Sequence, residues 1–581
     1  MKKILLSSTL FLATFFANAQ AVQDWSQYLY GPGSLIYGPQ ALNNTIACDA
    51  AGNIYAVGVF NSPTGAAAVD LDPSVGVFNL NVLSGNIYIT KTDANGNFIW
   101  ARQLGGNSPG FAGSITLDNN GNIYITGKVG YGFWDFNPSP TINNMVYNEP
   151  SQTNFIEKLT PNGDLIWVKL INNIYDESYD QIDDISVDSS GNVYATGSYR
   201  LNADFDPGVA VYNLSDVTDA YHQIFILKLD VSGNFVWAKA FKQSTSSTYD
   251  YVTGHSIKSD SSGNVYVSGY FAGTTDFDPG VAVLNKISVG QISLFITKLD
   301  ASGNLVWVNT YEKNHYSGFE SKLVLDLSNN PIVFDTTVDN LGGQFSTLFK
   351  INSATGNAIW TKSIAGVTVV IGPNGLTNTG TSDSDGMALD AAGNIYLSGQ
   401  FQNTVDFDPG VGVFTMSPSV NPNNMIANFD GYFVKLDSNG NFIYANKIGG
   451  LGNDYISNIF VSPVGKLIIK GRAGVGGFNK TITNTSEGAF MASYTQPALA
   501  TSQFDLDKNI TVYPNPTTGD FNIKISENLM GAKATIYNIL GQKIKDFSLN
   551  VLTTTQNLNK GMYLLEIEKD GNSSTKKLLV N

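Results

Sequence analysis

Three segments of the chain set two aspartates around a Phe and follow them with Pro-Gly: Asp204-Phe-Asp206-Pro-Gly208, Asp276-Phe-Asp278-Pro-Gly280 and Asp406-Phe-Asp408-Pro-Gly410. Variants stand at Asp70-Leu-Asp72-Pro-Ser74 and Asp135-Phe-Asn137-Pro-Ser139. Alternate residues of an extended chain point to one side, so both carboxylates of a segment could meet one ion. Calcium takes six to eight oxygen ligands, which makes Asp204, Asp206, Asp276, Asp278, Asp406 and Asp408 the candidate metal donors. The same letters also spell a turn. Pro fixes φ, the Asp before it accepts nearby amides, and Gly relieves the bend. On that reading Phe205, Phe277 and Phe407 anchor the segments against a sheet. The spacing matches no EF-hand loop, and both readings stay open.

Catalytic patterns are sparse. Gly106-Asn107-Ser108-Pro109-Gly110 fits the G-x-S-x-G string, but that motif needs a strand-to-helix elbow with a His and an acid nearby. Here the string falls between β units, with Pro after the Ser. The three histidines, His222, His255 and His315, lack metal-ligand spacing and read as solvated loop residues. Arginine occurs only at positions 102, 200 and 472; three could serve a carboxylate-binding cluster of the sialidase type, but no copy of that family's Asp-box repeat is present. Six of the seven Trp recur at one place in a repeat, which points to packing. Trp134 falls outside that pattern, beside Asp135-Phe136-Asn137, and is the candidate ligand contact.

These residues must be positioned by β elements, because the chain is organised by a repeat. Asp, two small residues and Gly-Asn precede a short β-rich run at Asp49–Asn53, Asp118–Asn122, Asp188–Asn192, Asp260–Asn264 and Asp390–Asn394, a period of about 70 residues. Weaker copies lie at Asp326–Asn330 and Ser462–Lys466. A second phrase, Lys-Leu-Asp then Gly-Asn then an apolar run with Trp, occupies Lys228–Trp237 and Lys298–Trp307, with Tyr444 replacing Trp in Lys435–Tyr444. Both phrases are hairpin chemistry, in which Asp caps the turn and Gly takes φ > 0. Two hairpins per unit give four strands, a to d.

Trp25, Trp100, Trp167, Trp237, Trp307 and Trp360, with Tyr444, mark seven d strands. The first of these precedes any a, b or c strand, and the last unit has its a, b and c strands near 456–461, 466–472 and 489–494 but no d. The N-terminal strand is therefore expected to complete the last unit and close a ring, which removes exposed sheet edges. These phrases resemble the seven-bladed β-propeller repeats of secreted bacterial proteins, over about residues 22–496. In such an up-and-down arrangement the b–c and d–a connections share one end, so the Asp-Phe-Asp-Pro-Gly segments would decorate one face of the ring.

After residue 496 the repeat stops. Residues 497–509 read as a linker, and residues 510–581 alternate in short β runs that predict a small β-sandwich. Val512-Tyr-Pro-Asn-Pro516 with Gly519, Ala534–Gly541, Gly561-Met-Tyr563 and Lys576–Val580 resemble the type A sorting domain of the type IX secretion system of Bacteroidota. That resemblance implies export by the outer-membrane secretion machinery, followed by release or cell-surface attachment. Residues 1–19 read as a signal peptide: Lys2 and Lys3, an apolar run from Ile4 to Phe16, and a small-residue cleavage site at Ala17–Ala19. That run is too short for a membrane span.

The sequence thus predicts an all-β chain: signal peptide 1–19, seven-bladed propeller 20–496, linker 497–509 and sorting sandwich 510–581. The net charge of −15 and the scarcity of Arg exclude nucleic acid as a partner. One cysteine, Cys48, leaves no internal disulfide. The expected function is a secreted or surface-displayed binding or adhesion module with a glycan or protein ligand. The alternative is an extracellular carbohydrate-active or other hydrolytic enzyme working with carboxylates on the loop face.

Overall fold

Each Asp-x-x-Gly-Asn phrase folds as a tight hairpin turn closed by its own aspartate. Asp188 Oδ1 accepts the amides of Ser190 and Asn192, both at 2.9 Å. Its Oδ2 accepts Asn192 Nδ2 at 2.8 Å and the Tyr194 hydroxyl at 3.1 Å. The pattern repeats at Asp49, Asp118, Asp260 and Asp390. The c–d turns use the same device, with Asp230 Oδ1 accepting Ser232 and Asn234 amides at 2.8 Å.

The computed structural model describes residues 21–29, 45–60, 68–138, 152–171, 181–200, 203–214, 222–244, 252–290, 292–311, 321–338, 344–366, 368–371, 376–379, 381–382, 385–420, 428–474, 488–496, 509–526, 529–539, 541–569 and 572–581. The expected signal peptide, and the expected linker apart from residue 509, lie outside the described residues. The chain divides into two compact units, residues 1–495 and 496–581.

The first unit is built of antiparallel a-b-c-d meanders. Among the described residues these run as Ile46–Cys48 to Phe98–Gly106 (I), Gly110–Leu117 to Leu165–Ile171 (II), Gln181–Val187 to Phe235–Gln243 (III), and Thr253–Ser259 to Leu305–Tyr311 (IV). Lys322–Leu325 to Ala358–Gly366 (V) and Gly386–Leu389 to Phe442–Ile448 (VI) follow. The last group, Tyr455–Val461, Lys466–Ala473 and Gly488–Thr495 (VII), takes its fourth strand from the N-terminus. There Val22–Tyr28 pairs antiparallel with Gly488–Thr495, in the register Ser26↔Ala492. The a strand of each meander lies against that of the next, and Tyr455–Val461 of VII lies against Ile46–Cys48 of I.

One set of contacts fastens meander to meander. The Trp237 indole N–H and the Lys228 ammonium of III both donate to the carbonyl of Ala301, in the c–d turn of IV, at 3.2 and 3.4 Å. Trp167 and Lys158 do the same to Val231, and Trp307 and Lys298 to Ser353. The c-strand lysine also lies over the ring of the b-strand tyrosine, Lys228 at 5.0 Å from the Tyr194 centroid. The turn takes a backbone conformation that favours glycine. Gly303 sits at φ +79°, and a Cβ there would come within 2.8 Å of Lys239. Trp25 of the N-terminal strand makes the equivalent bond to Ala94 of meander I, at 3.3 Å. The strand farthest away in sequence is thus tied in by the same chemistry as its neighbours.

The second unit has two antiparallel sheets around a common core. Ile510–Tyr513, Asp520–Ile525 and Thr553–Asn557 form one sheet. Lys543–Leu549, Ala532–Asn538, Gly561–Lys569 and Asn572–Val580, in that spatial order, form the other. Phe521, Ile523, Ile536, Leu565, Ile567 and Leu578 are buried between them. Asn515 holds the last strand, donating to the Lys577 carbonyl at 2.6 Å and accepting the Leu579 amide at 3.0 Å.

Candidate binding face

The b–c connections, which read as long loops, contain hairpins of their own. Ala68–Asp70 pairs with Asn79–Asn81, Ala203–Asp204 with Asn213–Leu214, Thr274–Asp276 with Asn285–Ile287, and Val405–Asp406 with Thr415–Met416. Three of these connections also reach the d strand of the preceding meander: Thr275–Asp276 pairs with Lys242–Gln243, Val405–Asp406 with Ala365–Gly366, and Trp134–Asp135 with Gly105–Gly106.

The aspartates form the base of each hairpin. Asp204 Oδ1 accepts the amides of Asp206 at 3.0 Å and Tyr212 at 2.9 Å, and Asp206 Oδ1 accepts that of Gly208 at 2.8 Å. Asp276 with Asp278 and Asp406 with Asp408 repeat these bonds. Asp70 with Asp72 does so in the variant, where Ser74 supplies the last amide. Phe205, Phe277 and Phe407 are buried and pack on Phe225, Phe295 and Tyr432 of the c strands. Beyond the Pro the chain turns outward. Val75, Val209, Val281 and Val411 are almost wholly exposed, and Val77, Val211, Val283 and Val413 largely so. Four hairpins therefore present the same Val-x-Val tip, with tip side chains outside the core. Sequence reading overlooked these valines, although Val-x-Val follows the Pro-Gly or Pro-Ser in four of the five motif copies, all but Asp135–Ser139.

Trp134 is placed differently from the hairpin tips. Its indole is buried, donates to Ser108 Oγ at 2.9 Å, and lies so close to Gly106 that a Cβ there would collide with the ring. That bond also occupies the serine of the G-x-S-x-G string, which joins two strands with no helix between them. His222 and His255 are 3% and 2% exposed, not solvated loop residues. His255 stands in the strand Thr253–Ser259 and packs against the Tyr270 ring at 4.9 Å. His315 lies outside the described residues.

Charged groups buried elsewhere are mostly tied into the scaffold. Asp184 receives Ser114 Oγ of II at 2.8 Å, and Ser256 Oγ and Lys258 Nζ of IV at 3.0 and 2.9 Å, so it joins three meanders. Burial alone would raise its carboxyl, but Lys258 and the hydrogen bonds hold it below the ordinary range. Asp454 accepts the amides of Gly450 and Gly474, both at 2.8 Å. Burial first, and the nearby Asp430 carboxylate in addition, push it up to about 6. Asp430 is raised by burial as well, against the pull of Ser419 and Lys447. Asp430 and Asp454 are nonetheless closed off from solvent. A shallow cleft between meanders II and III is lined by Lys128, Asn154, Gln181 and Asp183 among others, with one carboxylate. Among the described residues no three His, Cys, Asp or Glu side chains gather as a metal site, and no helix is long and apolar enough to cross a membrane.

Known proteins match at both ends of this description. Residues 511–581 match the secretion system C-terminal sorting domain family, and residues 99–128 the β-propeller repeat family. An uncharacterized WD repeat-containing protein of Acanthamoeba polyphaga mimivirus is 23% identical over 464 residues, 68% of this chain. The chain spans about a third of that relative's length, 32%. Among solved structures, a protein of unknown function from Bacteroides caccae is 10% identical, covering 62% of this chain and 89% of its own, with a TM-score of 0.30. PorZ, a surface component of the type IX secretion system of Porphyromonas gingivalis, is 9% identical over 96% of this chain and 100% of its own, with a TM-score of 0.24. The chain carries a type IX sorting domain behind a body of propeller-like β repeats, one segment of which matches the β-propeller repeat family, and that tail marks it for secretion and the cell surface.

Proposed function

We propose that the body is a closed seven-bladed propeller serving as a binding or adhesion module, delivered by its tail and using the hairpin-bearing face to hold a glycan or protein ligand. Closure is supported by the unbroken circuit of a-strand contacts and by Trp25, which ties the N-terminal strand to Ala94 as Trp237 ties to Ala301. The binding reading rests on one observation above all: four hairpins of the same build hold exposed Val-x-Val tips on rigid bases. Exposed apolar side chains repeated at one position suit recognition. We read the Asp pairs as the devices that hold these hairpins, since both carboxylates already cap backbone amides. The hydrolytic alternative needs two carboxylates facing one cleft. The cleft between meanders II and III has one, and Asp430 and Asp454 are buried and accept backbone amides.

The test is retention of the purified chain on arrays of glycans and extracellular proteins, with Val209→Asp/Val281→Asp/Val411→Asp beside wild type. Loss of retention with unchanged melting is expected. A variant that binds every retained ligand as tightly as wild type would exclude the hairpin face.

A further inference from the structure

The sorting domain resembles its family through segments that its core only partly needs. Phe521, Ile523, Ile536, Leu565, Ile567 and Leu578 fill the space between its sheets. Alternation along the strands turns Tyr537, Leu564, Met562 and Leu579 to the opposite face of the four-stranded sheet. Strand register sets Tyr537 beside Leu564 and Leu564 beside Lys577, and sets Met562 beside Leu579. Lys543 stands next to Tyr537 on the other flank. Three segments separate in sequence, 534–541, 561–563 and 576–580, thus meet in one apolar patch with a lysine on either side. Met562 and Leu564 are 41% and 40% exposed there. Glu566, two residues along the strand from Leu564, receives the Tyr537 hydroxyl at the patch edge, and the far end of the same face is polar, with Lys533 beside Glu568.

Large apolar side chains gathered at one end of an otherwise polar sheet face mark an interaction surface. We propose that this patch is where the sorting domain docks on the outer-membrane export machinery, against a receptor surface that is apolar at its centre and bordered by carboxylates. The proposal rests on the sorting role of the tail. Lys577 supplies one charge complement. Lys543 supplies the other, at little expense, because its pairing with Asp546 at 3.2 Å is solvent-exposed. Asn515 acts as a positioning residue, since it pins the strand that brings Lys577 and Leu579 to the patch.

The experiment follows the full-length chain in cells that possess the export machinery, by fractionation into periplasm, cell surface and medium. Met562→Glu/Leu564→Glu should lower surface and extracellular protein by roughly tenfold or more, the loss expected when central interface contacts go. Protein should accumulate in the periplasm, and the purified variant should melt as wild type does. Lys577→Glu should give a smaller loss in the same direction, while Lys533→Glu/Glu568→Lys at the far end of the face should export normally. Should the Glu pair melt lower than wild type, Leu564→Gln replaces it with the same expectation. Wild-type delivery of a folded patch variant overturns the docking site. Deleting residues 510–581 separates the two claims. If the deletion blocks delivery and the patch variants do not, only the patch is wrong; if the deletion is delivered, the sorting role itself fails.

Discussion

The two ends of the meanders use aspartate in the same way and reach opposite results. At the turn end, Asp188 and its equivalents cap the a–b hairpin and hold a tyrosine hydroxyl, and Asp49, Asp118 and Asp390 lie within 4 Å of the c-strand lysine. At the hairpin end, Asp204 and its equivalents also cap amides, yet the segment they stabilise ends in exposed valines. Both ends reach a neighbouring meander, the turn end through Trp and Lys side chains and the hairpin end through short strand pairs, but only the hairpin end carries exposed apolar tips. Asx capping is thus a local device whose role is set by what lies beyond it. Where Trp and Lys follow, it joins one meander to the next. Where Pro and Val-x-Val follow, it presents a surface.

The largest break in this contrast should come from the fastening contacts. Trp307→Ala removes a buried indole and its bond to Ser353, and is expected to cost about 3–5 kcal/mol in denaturant unfolding. The aspartates give the next step. Asp188→Ala strands a buried tyrosine hydroxyl and several amides, and should cost about 1.5–3 kcal/mol. Asp206→Ala loses one amide partner at the edge of an exposed turn, for an expected cost under about 1 kcal/mol. Equal costs at the two ends would remove the distinction.

The pH dependence follows from the same groups. Burial alone would raise Asp390, but Asn394, Tyr396 and Lys435 bring its carboxyl below the ordinary range. A depressed folded value adds stability above the unfolded carboxylate range, and that stability is lost as pH falls through the folded value. Glu157 has the opposite sign. It is fully buried on the c strand of meander II, neither carboxyl oxygen has a hydrogen-bond partner among the described residues, and burial pushes it well above the usual range. The folded chain therefore keeps a proton that the unfolded chain releases, and the site loses stability as pH rises above the ordinary carboxylate range. Glu157→Leu should raise stability at neutral pH by about 1–3 kcal/mol and flatten that part of the profile.

Much of this organisation is legible in the sequence, because Asp-x-x-Gly-Asn and the strand-d Trp repeat at a fixed spacing and each has one local physical meaning. The missing d strand of the last unit could be counted from Trp25 and Tyr444 alone. What could not be read depends on contacts between meanders or on very short elements. The c-strand lysines look like solvated charges until the neighbouring turn carbonyl is in place. The pairs Ala203–Asp204 and Asn213–Leu214 are too short to show a β period. His255 reads as a loop residue because polar neighbours flank it, and its burial comes from the Tyr270 ring beside it. Trp134 looked exceptional because it falls outside the repeat, and its burial against Ser108 depends on the connection folding back onto the preceding d strand.

The smallest expected effects lie at the hairpin tips. Val209→Asp should change stability by no more than about 0.5 kcal/mol, as exposed substitutions do. With the Asp pairs serving as turn caps, a calcium chelator should leave the melting curve of the purified chain unchanged. A chelator-sensitive melting temperature that disappears in Asp204→Asn/Asp206→Asn would give those carboxylates to a metal.

Amide hydrogen exchange on the purified full-length chain tests the central contrast most directly, since it reads both ends at once. The amides of Ser190 and Asn192, held by Asp188 in a turn that packs on Val231 of its own meander, should exchange slowly. Those of Val209, Ala210 and Val211 should exchange quickly, and become protected when a ligand retained on the arrays is added. Equal protection at both ends of the free chain, or ligand protection confined to the turn end, would contradict the account.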